Sequence, residues 1–125
     1  MSKKIFTFFC CLLSVTFLHA QTWNGSSSTD WNTALNWTGG LPLSTGNVII
    51  PTGMPRYPVL ANNVTINSIN MQTGSLMDVN GFTLTLNGSS AYIYFTGATL
   101  NNSNGSTDIV LNINTGGGGF LTYFK

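Results

Sequence analysis

Apolar and polar residues alternate one by one over several short stretches of this chain, and this pattern constrains the fold more than any other feature. The alternating stretches are residues 64–71, 76–79, 82–87, 92–95 and 109–113. A period of two is the signature of β-strands, in which successive side chains point to opposite faces. Gly and Asn-Gly between the stretches supply turns. We therefore predict an all-β protein with no long helix.

The spacing of the strands favours a parallel β-solenoid. Val64, Phe82 and Leu100 follow one another at equal intervals along the chain, and loose periods of roughly 18 to 24 residues fit stacked coils with variable loops. Charged residues make up only 6% of the chain. Stacked like charges would repel, whereas Asn and Thr can hydrogen-bond along the stack. We predict a right-handed parallel β-helix; the alternative is an antiparallel β-sandwich, which fits the alternation nearly as well.

Residues 1–20 have the layout of a secretory signal peptide. Lys3 and Lys4 form a basic start, an apolar run covers residues 5–18, and cleavage is expected near Ala20. The run is too short for a comfortable membrane span, which needs about 20 apolar residues, and no other stretch comes close. We therefore expect a secreted or cell-surface protein with no membrane span.

Removal of residues 1–20 leaves few side chains that carry chemistry. Both cysteines and the only histidine lie in the removed segment, and the chain has no glutamate. A Ser-His-Asp triad, a disulfide and a Cys/His metal site are thereby excluded. The remaining bases, Arg56 and Lys125, do not form the basic patch that nucleic-acid binding requires. We expect no enzyme activity, no cofactor, no metal and no nucleic-acid partner.

The three acids of the mature chain are Asp30, Asp78 and Asp108. Each is placed to stabilise a turn, which is the expectation for all three. Asp78 with Asp108 is the alternative, as a carboxylate pair for glycoside hydrolysis. A second alternative is a calcium site at Asp78 and Asn80, although calcium usually takes several carboxylates.

Residues 21–53 contain all three tryptophans: Trp23, Trp31 and Trp37. The first coil of a solenoid exposes a sheet edge and an open core that must be covered. We predict that this segment is a cap, with one helical turn at residues 30–36 that places Trp31 and Leu35 on the same side and with Leu41 in its apolar mass. Residues 54–125 are then the solenoid-like region.

The alternative is a carbohydrate-binding module in which exposed Trp23, Trp31 and Trp37 stack on sugar rings, with extracellular polysaccharide or cell-surface components as partners. For the tyrosines at 57, 92 and 94, strand packing is the first expectation and ligand contact the second. We expect the strand at 92–95 to be covered on both faces.

The N-terminal half resembles the start of large secreted surface proteins of Bacteroidetes. The resemblance rests on residues 23–25 (WNG), 30–32 (DWN), 36–37 (NW), 40–42 (GLP), 47–51 (NVIIP), 57–60 (YPVL), 74–76 (GSL) and 79–84 (VNGFTL). The segment is also similar to the opening of G8-type domains. The resemblance implies an N-terminal β-helical module of an adhesin-like or carbohydrate-associated protein, in a group that commonly uses type IX secretion. It supplies no catalytic residue for this region.

These observations predict a non-catalytic structural or adhesion module from a larger protein. The Gly run at 116–119 and the apolar end at 120–125 lack the polar cap of a complete solenoid, so we expect the chain to be truncated at Lys125. Residues 120–124 are alternatively one last strand after a Gly linker. A third possibility is an inactive fragment of a β-helical polysaccharide-degrading enzyme.

Overall fold

A computed structural model describes residues 20–87, 92–95, 97–104, 111–114 and 121–124. The expectations for the signal segment at 1–19, for Asp108 and for the Gly run at 116–119 lie outside the described residues. Within them the chain is all-β, with a single 3₁₀ turn at Ala34–Asn36. No helix in these ranges is long and apolar enough to cross a membrane.

The strands are short, as the sequence pattern predicts. In chain order they are β1 (Gln21–Trp23), β2 (Trp37–Thr38), β3 (Asn47–Ile50), β4 (Val64–Ile66), β5 (Ser68–Met71), β6 (Leu76–Asp78), β7 (Leu84–Asn87), β8 (Tyr92–Phe95), β9 (Thr99–Asn101), β10 (Leu111–Asn114) and β11 (Leu121–Phe124). Pro51 follows β3 directly, as expected of a residue that cannot donate a backbone hydrogen bond.

The strands form three sheets that are the three faces of a β-solenoid of about three turns. Face 1 has the strand order β11-β8-β5-β3-β1-β2, and face 3 has the order β10-β7-β4. Face 2 contains β6 and β9, extended by single bridges from Asp30 to Val59 and from Val59 to Asp78. From β3 onward, the described chain visits face 1, face 2 and face 3 in turn in each coil.

Parallel pairing confirms the predicted β-helix over the β-sandwich. Among the described strands every pair is parallel except β1 with β2. On face 1, Val48 pairs with Ile69 and Ile69 pairs with Ile93. All three side chains point inward and are buried. The core is therefore a stack of apolar residues, one rung above the next.

The equal intervals between Val64, Phe82 and Leu100 do not correspond to the register of the strands. Val64 pairs with Leu84 instead of Phe82, and Leu100 pairs with Met77 on a different face. Phe82 lies in the turn before β7, half-buried against the core. Because the corners between faces differ in length, equal spacing along the chain does not identify stacked residues.

Asparagine side chains hydrogen-bond neighbouring coils to each other at several corners of the solenoid. The Asn32 amide donates to the Asn62 amide oxygen at 2.8 Å, and the Asn63 and Asn102 amide oxygens accept from the backbone N–H groups of Thr83 and Gly81 at 2.9 and 2.8 Å. At each of these corners a neutral amide satisfies a polar group of the adjacent coil.

The tryptophan segment forms the predicted cap at the β2 end of face 1. β1 and β2 add the last two strands there, and Trp23 pairs with Trp37 in the antiparallel register. The Trp37 ring meets the Trp23 ring edge-on at 5.0 Å between centroids, and the Trp31 ring at 4.7 Å. The three side chains are 0%, 2% and 5% exposed, in the order Trp23, Trp31, Trp37. They belong to the same apolar core as the coils.

The two leucines predicted for the cap interior are instead on its surface. Leu35 is 73% exposed, and Leu41 is exposed as well. Trp31 is buried, so the helical turn does not place Trp31 and Leu35 on the same side. A 3₁₀ turn of 3 residues is too short to form a continuous apolar stripe, which removes the basis of that prediction.

The loop before Tyr57 fastens the cap to the first coil. The indole N–H of Trp23 donates to the Arg56 carbonyl at 2.7 Å, and the Arg56 guanidinium donates to the Gly25 and Ser26 carbonyls, each at 3.3 Å. Gly25 has a φ of +56°, and a Cβ there would overlap the Arg56 carbonyl oxygen. Only glycine fits this approach without strain.

Candidate functional site

Asp78 is the most enclosed carboxylate among the described residues, at 7% exposure. Its Oδ1 accepts from the backbone N–H groups of Asn80 and Ser103 at 2.8 and 3.0 Å, and its Oδ2 accepts from the Asn101 amide at 3.5 Å. Asn80 has a positive φ of 48° and precedes Gly81, so Asp78 stabilises this turn. The predicted turn role is confirmed for Asp78.

Asp30 has the same role in the cap. Its Oδ1 accepts from the backbone N–H of Asn32 at 3.0 Å, and its Oδ2 accepts from the Thr33 hydroxyl at 2.9 Å. The Thr33 N–H also donates to the Asp30 carbonyl at 3.2 Å. This turn leads into the 3₁₀ turn at Ala34–Asn36, close to where a helical turn was predicted.

The hydrogen bonds of Asp78 do not favour a calcium site at Asp78 and Asn80. The carboxylate faces N–H donors, and the Asn80 amide donates to the Leu60 carbonyl at 3.1 Å. A cation would need those same oxygens free of donors. Within the described ranges no three acidic, His or Cys side chains come together. Asp108, the partner in the alternative carboxylate pair, lies outside the described residues.

The pKa of Asp78 lies below its ordinary value. Burial acts to raise the pKa, but hydrogen bonds from the Ser103 side chain and backbone, the Asn80 backbone and the Asn101 side chain outweigh it. These donors stabilise the carboxylate in the folded state only. Asp78 therefore contributes stability that is complete above the pKa of the unfolded chain, and that is lost as pH falls through the lower pKa of the folded state.

We expect Asp78→Asn to flatten the acid limb of the stability curve. At neutral pH the variant should lose about 1–3 kcal/mol, because an amide cannot accept from all of these donors. Below about pH 4 the wild-type chain should lose stability faster than the variant as Asp78 is protonated. Urea unfolding from neutral to acidic pH measures both effects, with Asp30→Asn as the control for a turn carboxylate. Parallel curves for wild type and Asp78→Asn would contradict this role.

The carbohydrate-binding alternative requires exposed tryptophans, and all three tryptophans are buried. Stacking on a sugar requires an exposed ring face, and Trp23, Trp31 and Trp37 pack against one another instead. Two of their indole N–H groups are also engaged, since that of Trp37 donates to the Trp31 carbonyl at 2.8 Å and that of Trp23 to the Arg56 carbonyl.

Among the residues whose side chains the structure describes, the exposed aromatic is Tyr94 on face 1, at 43% exposure. Its neighbours Ile93 and Phe95 point inward and are buried. The outward side of β8 is therefore exposed at Tyr94, whereas the sequence predicts a strand covered on both faces. Tyr57 differs, because it packs against the core and its hydroxyl lies 3.4 Å from the Gly74 carbonyl. The side chain of Tyr92 lies outside the described residues.

Tyr94 belongs to an outward column on face 1 that includes three adjacent rungs on β3, β5 and β8 and continues to its backbone partner Tyr123 on β11. Ile49 pairs with Asn70, and Asn70 pairs with Tyr94. Ile49 and Asn70 are half-buried, between neighbours that point into the core. We call Ile49, Asn70 and Tyr94 the Tyr94 column. Sequence reasoning missed it, although the alternation on β3, β5 and β8 already marks each of these residues as outward.

Asn70 holds a polar atom without a described partner at the centre of this column. Its Oδ1 is buried and accepts no hydrogen bond from any described residue. A buried acceptor left unpaired costs about 1–3 kcal/mol relative to a paired one. The Asn70 amide therefore retains hydrogen-bonding capacity that the described part of the fold does not use.

The described ionisable acids and base all lie away from the column. Asp30 and Asp78 are bridged through Val59 on face 2, and Arg56 lies in the loop between β3 and β4. The column itself is neutral, with one aliphatic, one amide and one phenol side chain. No protein-family model, curated protein or solved structure matches this chain.

Proposed function

We propose that this chain is a non-catalytic structural or adhesion module that is exported to the cell surface or the medium. The observation that carries the proposal is the use of the described carboxylates. Asp30 accepts hydrogen bonds inside its own turn, and Asp78 accepts one from Asn80 in its own turn and one from Ser103 in the adjacent coil. Both carboxylates therefore serve to hold the turns of the solenoid.

The pKa of Asp78 supports the same conclusion. A carboxylic acid that donates a proton in glycoside hydrolysis needs a raised pKa. The pKa of Asp78 is lowered by its hydrogen bonds despite burial, and the side chain is almost inaccessible. Asp78 is therefore suited to holding a turn and unsuited to general acid catalysis at neutral pH.

The location follows from the signal-like segment. The basic start, the apolar run and the small residue at position 20 form the layout that export machinery recognises. The neutral, amide-rich coils suit a surface that meets other polymers outside the cell. The resemblance to Bacteroidetes surface proteins supports a place at the start of a larger adhesin-like protein.

Expression of the full chain in a bacterial host tests export and catalysis together. We expect the product outside the cytoplasm with Gln21 as its first residue, because the signal is removed after Ala20. Incubated with neutral and acidic polysaccharides, it should release neither reducing ends nor unsaturated sugars. A product retained in the cytoplasm with Met1 intact would contradict export. Polysaccharide cleavage that Asp78→Asn abolishes would contradict the non-catalytic role.

A further inference from the structure

We infer that the Tyr94 column is a binding site for a neutral polysaccharide. The inference rests on the proposed function, because it names what an adhesion module of this kind would hold. It differs from the tryptophan alternative in using an exposed ring on the outward side of face 1.

The shape of the site fits an extended chain of sugars. Neighbouring strands in a sheet lie about 4.8 Å apart, so the three rungs of the column span roughly 10 Å. That span accommodates about two sugar rings laid across the strands. The strands hold the column rigidly, since each of its residues lies between inward neighbours that are buried in the core. A site on strands loses little conformational freedom on binding.

The chemistry of the three side chains also fits sugar. An exposed phenol ring has an apolar face that covers the C–H face of a pyranose, and it adds little conformational entropy cost. The Asn70 amide offers donors and an acceptor, and rotation about its terminal bond brings either one toward a ligand hydroxyl. Ile49 lies two rungs from Tyr94 and adds a second apolar group to the column. Such a combination of one ring, one amide and one aliphatic group recognises an uncharged polyol.

The lack of charged side chains on the described strands of face 1 favours neutral glycans over acidic ones. The described cation, Arg56, donates to the Gly25 and Ser26 carbonyls within the loop that fastens the cap. No described basic side chain lies on face 1 to attract a uronic acid or a sulfated sugar. The absence of charge on this described surface also gives a nucleic-acid backbone no electrostatic attraction.

Binding of the exported chain to insoluble cellulose and chitin, with alginate as the acidic comparison, tests the inference. We expect binding to at least one neutral polymer, and weaker binding to alginate. Tyr94→Ala should weaken binding about tenfold, as loss of an aromatic anchor does at other recognition surfaces. Tyr94→Phe should retain most of the binding, because the ring is kept. Asn70→Ala should weaken binding by a smaller factor.

The matched control is Thr65→Ala, which removes an exposed, neutral, outward side chain from β4 on face 3. It should bind like the wild type, and thermal unfolding of every variant should verify the fold. Equal binding by wild type and Tyr94→Ala would overturn the site, as would the absence of binding to either neutral polymer. Neither result affects the non-catalytic role, which fails only if the chain cleaves a polysaccharide.

Discussion

We expect Trp37→Ala to destabilise the protein by about 3–5 kcal/mol, the range for truncating a buried aromatic side chain. Trp37 lies between the other two tryptophans, with centroid distances of 5.0 Å to Trp23 and 4.7 Å to Trp31. Its removal leaves a void that a sheet edge closes poorly, and the Trp31 carbonyl loses its 2.8 Å indole donor. Equilibrium urea unfolding followed by tryptophan fluorescence and by circular dichroism measures the loss.

Leu35→Ala is the matched control for Trp37→Ala. It also truncates a large apolar residue of the cap, but Leu35 is 73% exposed. Its effect should stay within about 0.5 kcal/mol, as for most surface substitutions. If Trp37→Ala proved as stable as Leu35→Ala, the tryptophan cluster would not be part of the core.

The second large effect is expected for Asn36→Ala. Asn36 is fully buried, and its amide alone makes four hydrogen bonds. Oδ1 accepts from the backbone N–H groups of Ser27 and Ser28 at 2.9 and 2.8 Å, and Nδ2 donates to the Ser28 hydroxyl and the Asp30 carbonyl, both at 2.9 Å. Alanine would leave these groups without partners inside the cap. We expect a loss of about 3 kcal/mol, since each unpaired buried group costs about 1–3 kcal/mol and water reaches some of them.

Hydrogen exchange locates the effect of Asn36→Ala as well as its size. The amides of Ser27 and Ser28 should lose protection, whereas those of β5 and β7 should keep most of theirs, because the loop opens locally before the coils unfold. Asn32→Ala is the control, since the Asn32 amide makes one exposed contact with Asn62. Unchanged protection at Ser27 and Ser28 in Asn36→Ala would show that the amide does not organise the loop.

The general architecture could be predicted because it depends on local pattern. Alternation specifies which residues of β4 and β7 face inward, and low charge with many Asn residues favours stacked parallel strands. The cap could be predicted because three tryptophans in one segment need burial. Register could not be predicted, since it depends on corner lengths that turn chemistry leaves open, and the equal spacing of Val64 and Phe82 does not reveal that Val64 pairs with Leu84.

The candidate site needed the register as well as the alternation. Tyr94 and Asn70 lie far apart along the chain, and nothing local indicates that they occupy adjacent rungs. The ligand hypothesis was placed on the tryptophans because the sequence shows which residues are aromatic but does not show which aromatic side chains are exposed. Asp78 was correctly placed in a turn, because an Asp two positions before an Asn-Gly pair favours an Asx turn irrespective of the coils around it.

The stacking of coils on face 1, from Val48 to Ile69 and from Ile69 to Ile93, also determines how the molecule can lengthen. One such coil advances the solenoid by one strand spacing, about 4.8 Å. The same stretch of chain pulled straight reaches about 70–85 Å. A coil that peels away under tension thus releases contour length roughly fifteen times its axial height. The folded coils therefore hold a long length of chain that tension can release.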